Sequence, residues 1–263
     1  MRDDEIRKAV RKRYAKIASQ GKSSGSAGTA SCCAPQTTAS AASCCSRQDT
    51  ASRAIGYSDE ELGAIPVGAN LGLGCGNPTA LASLKEGEVV LDLGAGAGID
   101  CFLAAEAVGQ NGRVIGVDMT PEMIESAREN VRNDGYQNVE FRLGEIENLP
   151  VADNSIDAII SNCVINLSPD KGRVFKEAYR VLKPGGRVMV SDIVLLKELP
   201  ESIKSSVEAY TGCVAGASMK EEYLATVKAA GFQEVEIISE ASFRIGQLDA
   251  AIASINVRAV KPS

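Results

Sequence analysis

Beyond residue 88 the chain alternates short aliphatic runs with segments of helical length, and this alternation limits the fold more than any other feature. Strand candidates fall at 89–93, 113–118, 139–143, 156–161, 187–192, 235–239 and 253–260. Helix signals stand between them. Residues 99–108 follow a glycine-rich turn, and Thr120-Pro121 pairs an N-cap with a proline at the first helical position to open 122–133. Ser168-Pro169 does the same for 170–182, which stops at Lys183-Pro-Gly-Gly186. Ser218-Met-Lys-Glu221 reads as a capping box for a helix ending at Gly231. Strands and helices in this order predict an α/β fold with a doubly wound, largely parallel sheet.

The first 56 residues differ in kind. Seven Lys/Arg fall within the first 16 positions, and Ile6, Val10, Tyr14 and Ile17 recur at helical spacing. The pattern predicts an amphipathic helix over 3–18 with a solvated basic face. Residues 19–52 are dominated by Ser, Ala, Thr and Gly and cannot offset their own ordering entropy, so a mobile arm is expected there. Its only chemically distinctive members are the vicinal pairs Cys32-Cys33 and Cys44-Cys45. From Tyr57 the composition is that of a packed domain, which divides the chain into 1–56, helix and arm, and 57–263, the folded domain. A net charge of −6 argues against general nucleic-acid binding, since phosphate contacts need a basic face. The N-terminus is too charged for a secretory signal, and no apolar run approaches the roughly 20 residues of a membrane span. A cytoplasmic protein with no membrane partner and reduced thiols is expected, so an even cysteine count is no sign of a disulfide framework.

The turn Asp92-Leu-Gly94-Ala-Gly96-Ala-Gly98 follows a buried-type strand and opens the helix at Ile99. Glycines there let a ligand approach the backbone closely. Asp118 lies 20 residues beyond Gly98, at the end of the next strand, where a carboxylate can hold both hydroxyls of a ribose. A dinucleotide fingerprint would place its third glycine at position 99, which is Ile99. The G-x-G-x-G spacing with a preceding acid instead resembles the first motif of class I S-adenosylmethionine methyltransferases. That resemblance implies that Asp92 faces the methionine ammonium, directly or through water. It also implies a seven-stranded, Rossmann-like sheet whose last strands are partly antiparallel. Met119 is then placed either against the adenine face or in simple packing. Gly144-Glu145-Ile146 ends the third strand, where such enzymes keep a carboxylate for the adenine amino group; the alternative for Glu145 is a solvated loop acid.

Eight cysteines and no histidine set the remaining chemistry. Without an imidazole, Ser-His and Cys-His catalysis are excluded, and what remains suits a soft, thiophilic element. In open α/β sheets ligands sit outside the carboxyl ends of the strands. Cys163 ends the fourth strand. Cys213 lies in the insertion between the fifth and sixth strands, around 195–217, and Cys75 occupies a glycine-rich loop before the first. Cys101, beside Phe102 and Leu103 in the first helix of the sheet, reads as a buried small hydrophobe.

Together, Asn162-Cys163-Val-Ile-Asn-Leu-Ser-Pro-Asp170, Gly74-Cys75-Gly76 and Gly212-Cys213-Val-Ala-Gly-Ala217 closely resemble the arsenite methyltransferase family. The resemblance runs from Tyr57 to Ile238 and includes the N-terminal helix with Tyr14. It implies methyl transfer from S-adenosylmethionine to thiolate-bound arsenic(III), as arsenic detoxification, with Cys163 and Cys213 the principal arsenic ligands and Cys75 the third thiol. Asn162 is placed at the cofactor edge, with Asp92, Gly94, Gly96, Gly98, Asp118, Met119, Glu145 and Ile146. The partners implied are arsenite, methylated arsenicals, and thioredoxin or a small thiol as reductant. The family pairs the Cys75 equivalent with an arm cysteine during turnover; here Cys32, Cys33, Cys44 and Cys45 are all candidates, for that role or for capturing arsenic. Two other readings stand beside this one: a methyltransferase of another small acceptor, such as a quinone precursor or a thiol, and a metalloid-sequestering thiol protein without catalysis.

Overall fold

A computed structural model describes residues 3–24, 47–243 and 252–263. Four helices precede the sheet: α1 (Asp3–Ser24), α2 (Arg47–Ala54), α3 (Asp59–Ala64) and α4 (Pro78–Leu81). The sheet has seven strands: β1 (Val89–Leu93), β2 (Arg113–Asp118), β3 (Val139–Leu143), β4 (Ile156–Asn162), β5 (Leu182–Leu195), β6 (Gln233–Phe243) and β7 (Ile252–Val260). Their order is β3-β2-β1-β4-β5-β7-β6. The first five are parallel, and β7 runs antiparallel to both β5 and β6. Helices α5 (Ile99–Val108), α6 (Pro121–Asp134) and α7 (Lys171–Val181) form the crossovers. Short helices α8 (Glu201–Lys204) and α9 (Val207–Thr211) fill the insertion after β5, and α10 (Lys220–Ala229) leads into β6.

Alternation along the strands sorts side chains to the two faces. Leu91, Leu93, Val188 and Val190 pack with Val174, Phe175, Tyr223 and Val227 of α7 and α10. Val90, Val114, Ala158 and Ile160 pack with Phe102, Ala105, Ile124 and Ala127 of α5 and α6. Wholly buried rings such as Phe102 and Phe175 contribute roughly 1.5–3 kcal/mol each. A third cluster lies at the carboxyl end of the sheet, where Ile6 and Val10 of α1 meet Cys163, Leu167, Ile193, Leu199 and Cys213. That cluster positions the site.

The structure departs from the sequence reading at several element ends. Helix α1 extends to Ser24 and α2 occupies 47–54, so both ends of the stretch assigned to a mobile arm are helical. Cys32, Cys33, Cys44 and Cys45 lie outside the described residues. The capping box at Ser218 does not form: the N-cap of α10 is Met219, with no side-chain cap. Tertiary pairing pre-empts it, because the Ser218 carbonyl accepts from Leu195 N at 2.9 Å and Met219 bridges to Leu195. Helix α7 is capped by Asp170, whose carboxylate accepts from Arg173 N. The Ser168 hydroxyl donates instead to Glu147. Strand β5 runs to Leu195, three residues past its expected end, because β7 pairs along it as far as Ile252. Among the described residues no helix is long and apolar enough to cross a membrane.

Candidate functional site

The turn after β1 holds Gly94, Gly96 and Gly98 in the left-handed region, with φ of 72°, 54° and 103°. Two of these glycines are required by neighbours. A Cβ at Gly94 would meet Val164, and one at Gly98 would lie 2.7 Å from the Phe102 ring. At Gly96 a Cβ would meet nothing, because that position opens onto a cavity lined by Asp92, Asp118, Met119, Ile146, Asn162 and Cys163. Asp118 accepts from Gly96 N at 3.0 Å and Thr120 N at 2.8 Å, which fixes the turn against the end of β2. Burial nevertheless holds its carboxyl above the usual range.

Two more buried carboxylates, Asp92 and Asp100, line the same cavity. Asp92 is raised well above its ordinary value by burial, then by Asp100, and it accepts from the Cys101 thiol at 3.2 Å. Cys101 is wholly buried, and it does more than pack. Asp100 is raised by burial as well, although Tyr57 Oη (2.7 Å), Thr79 Oγ1 (3.1 Å) and Asn162 Nδ2 (3.2 Å) all donate to it. A bound cation would relieve both acids. An open glycine cradle, a carboxylate beside it and a pair of buried acids fit the ribose and ammonium of S-adenosylmethionine.

Glu145 does not line the cavity. Its side chain is 41% exposed and faces Arg7 Nε at 3.7 Å and Arg11 Nη2 at 3.6 Å. The acid at this edge is Glu147, which is buried, lines the cavity, and accepts from Ser168 Oγ at 2.7 Å and Arg7 Nη2 at 3.4 Å. The two glutamates straddle a tight turn closed by Asn148 N donating to Glu145 O, so neighbouring acids point to different surroundings.

Beside the cavity, three distant segments bring their cysteines together as free thiols. Cys163 leaves β4 at φ 58° and Cys213 follows α9 at φ 64°, a conformation non-glycine residues seldom adopt and one that clusters at functional sites. The Cys213 thiol donates to the Cys163 carbonyl at 2.9 Å, and the Cys75 thiol to the Ser191 carbonyl at 3.4 Å. The Cys163 sulfur lies within 4.8 Å of the Cys75 sulfur. The neighbouring Cys213 lowers the Cys163 thiol, but Cys75, burial and nearby charges together push it well above the ordinary thiol value. Cys213 is raised by the adjacent Cys163 and by burial, and Cys75 chiefly by burial. Tyr14 of α1 packs against the cluster.

The sequence pattern does not single out Asp192. A carboxylate oxygen of Asp192 and the sulfurs of Cys75 and Cys163 all lie within 4.8 Å of one another. The carboxyl is wholly buried and receives Asn166 Nδ2 (2.9 Å), Tyr223 Oη (3.0 Å) and Ile193 N (3.1 Å). Burial still raises it to about 7. Lys171 faces it from α7 and donates to Gly216 O at 2.6 Å, tying down the Cys213 turn. One signal was available: Asp192, like Asp118, stands at the end of a predicted strand. Nothing local marks Tyr57, Asp100 or Lys171.

Fold, glycine cradle and carboxyl-end cavity are together those of a methyltransferase domain, and residues 84–231 match the family described as Methyltransferase domain. The arsenite methyltransferase of Halobacterium salinarum is 50% identical over 240 residues, covering 89% of this chain and 59% of that protein. The arsenite methyltransferase of Aquipseudomonas alcaligenes is 40% identical over 187 residues, or 68% and 53% of the two chains. The chain thus spans between half and three-fifths of the length of these curated relatives. The crystal structure of an arsenic(III) S-adenosylmethionine methyltransferase from Chlamydomonas reinhardtii superposes with a TM-score of 0.67 at 38% identity, over 81% of this chain and 74% of that one. The chain belongs to the arsenic(III) S-adenosylmethionine methyltransferase family.

Proposed function

We propose that this chain methylates trivalent arsenic held by Cys163 and Cys213, with Cys75 as third thiol, in a detoxifying reaction. One observation carries the reading: Cys163 lines the cavity of Asp92 and Asp118, its sulfur lies within 4.8 Å of the Cys75 sulfur, and its carbonyl accepts from the Cys213 thiol at 2.9 Å. Asp92, Gly96 and Asp118 would hold S-adenosylmethionine, with Met119 and Ile146 along the wall. Bound there, S-adenosylmethionine supplies the electrophilic methyl that the arsenic lone pair takes.

The thiols' raised proton affinity is compatible with this chemistry. Each S–H that attacks arsenite gives its proton to the departing hydroxide, releasing water, so capture needs no separate base. The nucleophile itself is a lone pair without a proton, which removes the need for histidine. Rigid placement of arsenic beside the cavity is then the main catalytic contribution of the chain. Methylation takes arsenic formally from the trivalent to the pentavalent state. Two thiols can return the electron pair by forming a disulfide, for which Cys75 and an arm cysteine are the candidates, reopened by thioredoxin or a small thiol.

The test is arsenic speciation after incubating reduced protein with arsenite, methyl-labelled S-adenosylmethionine and a thiol reductant. Labelled mono- or dimethylated arsenic is expected. Binding of both ligands without labelled arsenic would overturn the reading in favour of another acceptor.

A further inference from the structure

The sequence resemblance places Asn162 at the cofactor edge, yet half of its bonds go to the Cys75 loop. Its Oδ1 accepts from Cys75 N at 2.9 Å, and its Nδ2 donates to Gly76 O at 2.8 Å. The same Nδ2 lies 2.9 Å from Tyr57 Oη and 3.2 Å from Asp100 Oδ2. An amide group has two N–H bonds, here facing three acceptors. One planar side chain therefore grips the backbone on both sides of the Cys75 side chain and also touches an acid lining the cofactor cavity.

The Gly74-Cys75-Gly76 sequence is shaped to this grip. A Cβ at Gly74 would lie 2.7 Å from Asn162 Nδ2, and one at Gly76 would lie 2.7 Å from Ser191 Oγ. Both glycines are needed for the loop to seat between Asn162 and β5. Ser254 Oγ completes the seat by donating to Cys75 O at 2.8 Å. In that seat the Cys75 sulfur reaches Cys163 and Asp192.

We infer that Asn162 is a positioning residue that couples cofactor occupancy to the third thiol: a filled cavity holds Cys75 in the arsenic site, and an empty one lets the loop relax. This rests on the proposed arsenic methylation. Tyr57, Gly74, Asp100 and Asn162 all line the cavity, so a ligand packed on that wall restrains the groups that seat Cys75. Arsenic then passes from two-thiol to three-thiol binding when the cofactor is present. Each new bond forms between arsenic and the Cys75 sulfur, with the thiol proton leaving on a displaced hydroxide as water.

The test is arsenite binding to full-length reduced protein, by titration calorimetry, with and without saturating S-adenosylhomocysteine, which cannot react. In wild type the nucleoside should tighten arsenite about tenfold, and arsenite should tighten the nucleoside by the same factor, as linkage requires. Asn162→Leu should bind both ligands with less than twofold coupling. Tyr57→Phe, which keeps the ring and deletes one bond to Asn162, should lie between. Cys75→Ser should bind arsenite through the remaining pair, indifferent to the nucleoside. Uncoupled binding in wild type, or full coupling in Asn162→Leu, overturns the inference while leaving arsenic methylation standing. Should Asn162→Leu fail to fold, wild-type-like coupling in Tyr57→Phe overturns it equally. Wild type that binds neither ligand would refute the functional reading and this inference with it.

Discussion

Gly216→Ala isolates the geometry of the thiol cluster. Gly216 closes the turn that begins at Cys213, and an added Cβ would overlap the carbonyl oxygen of Asn166 and sit 3.2 Å from the Tyr210 ring. Asn166 cannot yield: it is wholly buried, and its side chain is bonded to Asp192 Oδ1 at 2.9 Å and Ile193 O at 2.6 Å. The turn itself must retreat, by about 1 Å to reach ordinary contact. Cys213 moves with it and stretches the 2.9 Å bond from its sulfur to Cys163 O. A misplacement of this size costs on the order of 100-fold in rate, and such overpacking costs about 1–3 kcal/mol of stability. Gly216 does not line the cofactor cavity, so S-adenosylmethionine affinity should stay within twofold. The assay is the initial rate of label transfer to arsenite, beside cofactor titration and a thermal melt. A rate within threefold of wild type would refute the rigid-cluster reasoning. An equal loss of cofactor affinity would show that the damage had spread beyond the turn.

Asp118→Ala removes a carboxylate that fixes Gly96 and Thr120, and should weaken S-adenosylmethionine binding at least tenfold, judged by calorimetry. Unchanged affinity would exclude Asp118 from the cofactor site. Asp192→Asn should alter how stability depends on pH. Burial raises the folded-state value from 3.8 to about 7, so the stabilising proton is fully held below 3.8 and lost as pH rises through 7. The variant should therefore gain on wild type by roughly 4 kcal/mol between pH 4 and pH 8 in urea titrations; a constant difference would contradict that placement. Cys101→Ala deletes a buried thiol whose bond goes to Asp92 and leaves Cys75, Cys163 and Cys213 in place. Arsenite affinity should be unchanged, and a tenfold loss would place Cys101 in the arsenic site.

Much of the architecture is local in origin and was readable from the chain. Period-two burial, the glycines after β1 and the proline opening α6 each depend on near neighbours, and the seven strands lie where their patterns put them. Element ends were less legible wherever a distant partner intervened. Ser218 lost its capping role because Leu195 claimed its carbonyl, and β5 lengthened because β7 pairs beyond Asp192. Glu145 and Glu147 are equally acidic in sequence, and only the turn between them decided which one enters the cavity.

By itself the sequence determined that three cysteines stand at chain positions suited to the carboxyl edge of an α/β sheet, with a glycine cradle and two strand-terminal acids beside them. Left-handed turns at glycines and strand periodicity are properties of a few consecutive residues, so they survive without tertiary context. Only the tertiary structure decided that the sulfurs of Cys75 and Cys163 come within 4.8 Å of a carboxylate oxygen of Asp192, and that Asn162 grips both the Cys75 backbone and the cofactor wall. These contacts join residues tens of positions apart, and their distances follow from how β4 and β5 pack against a loop and an insertion. No local pattern encodes such a distance; close packing of the whole domain sets it.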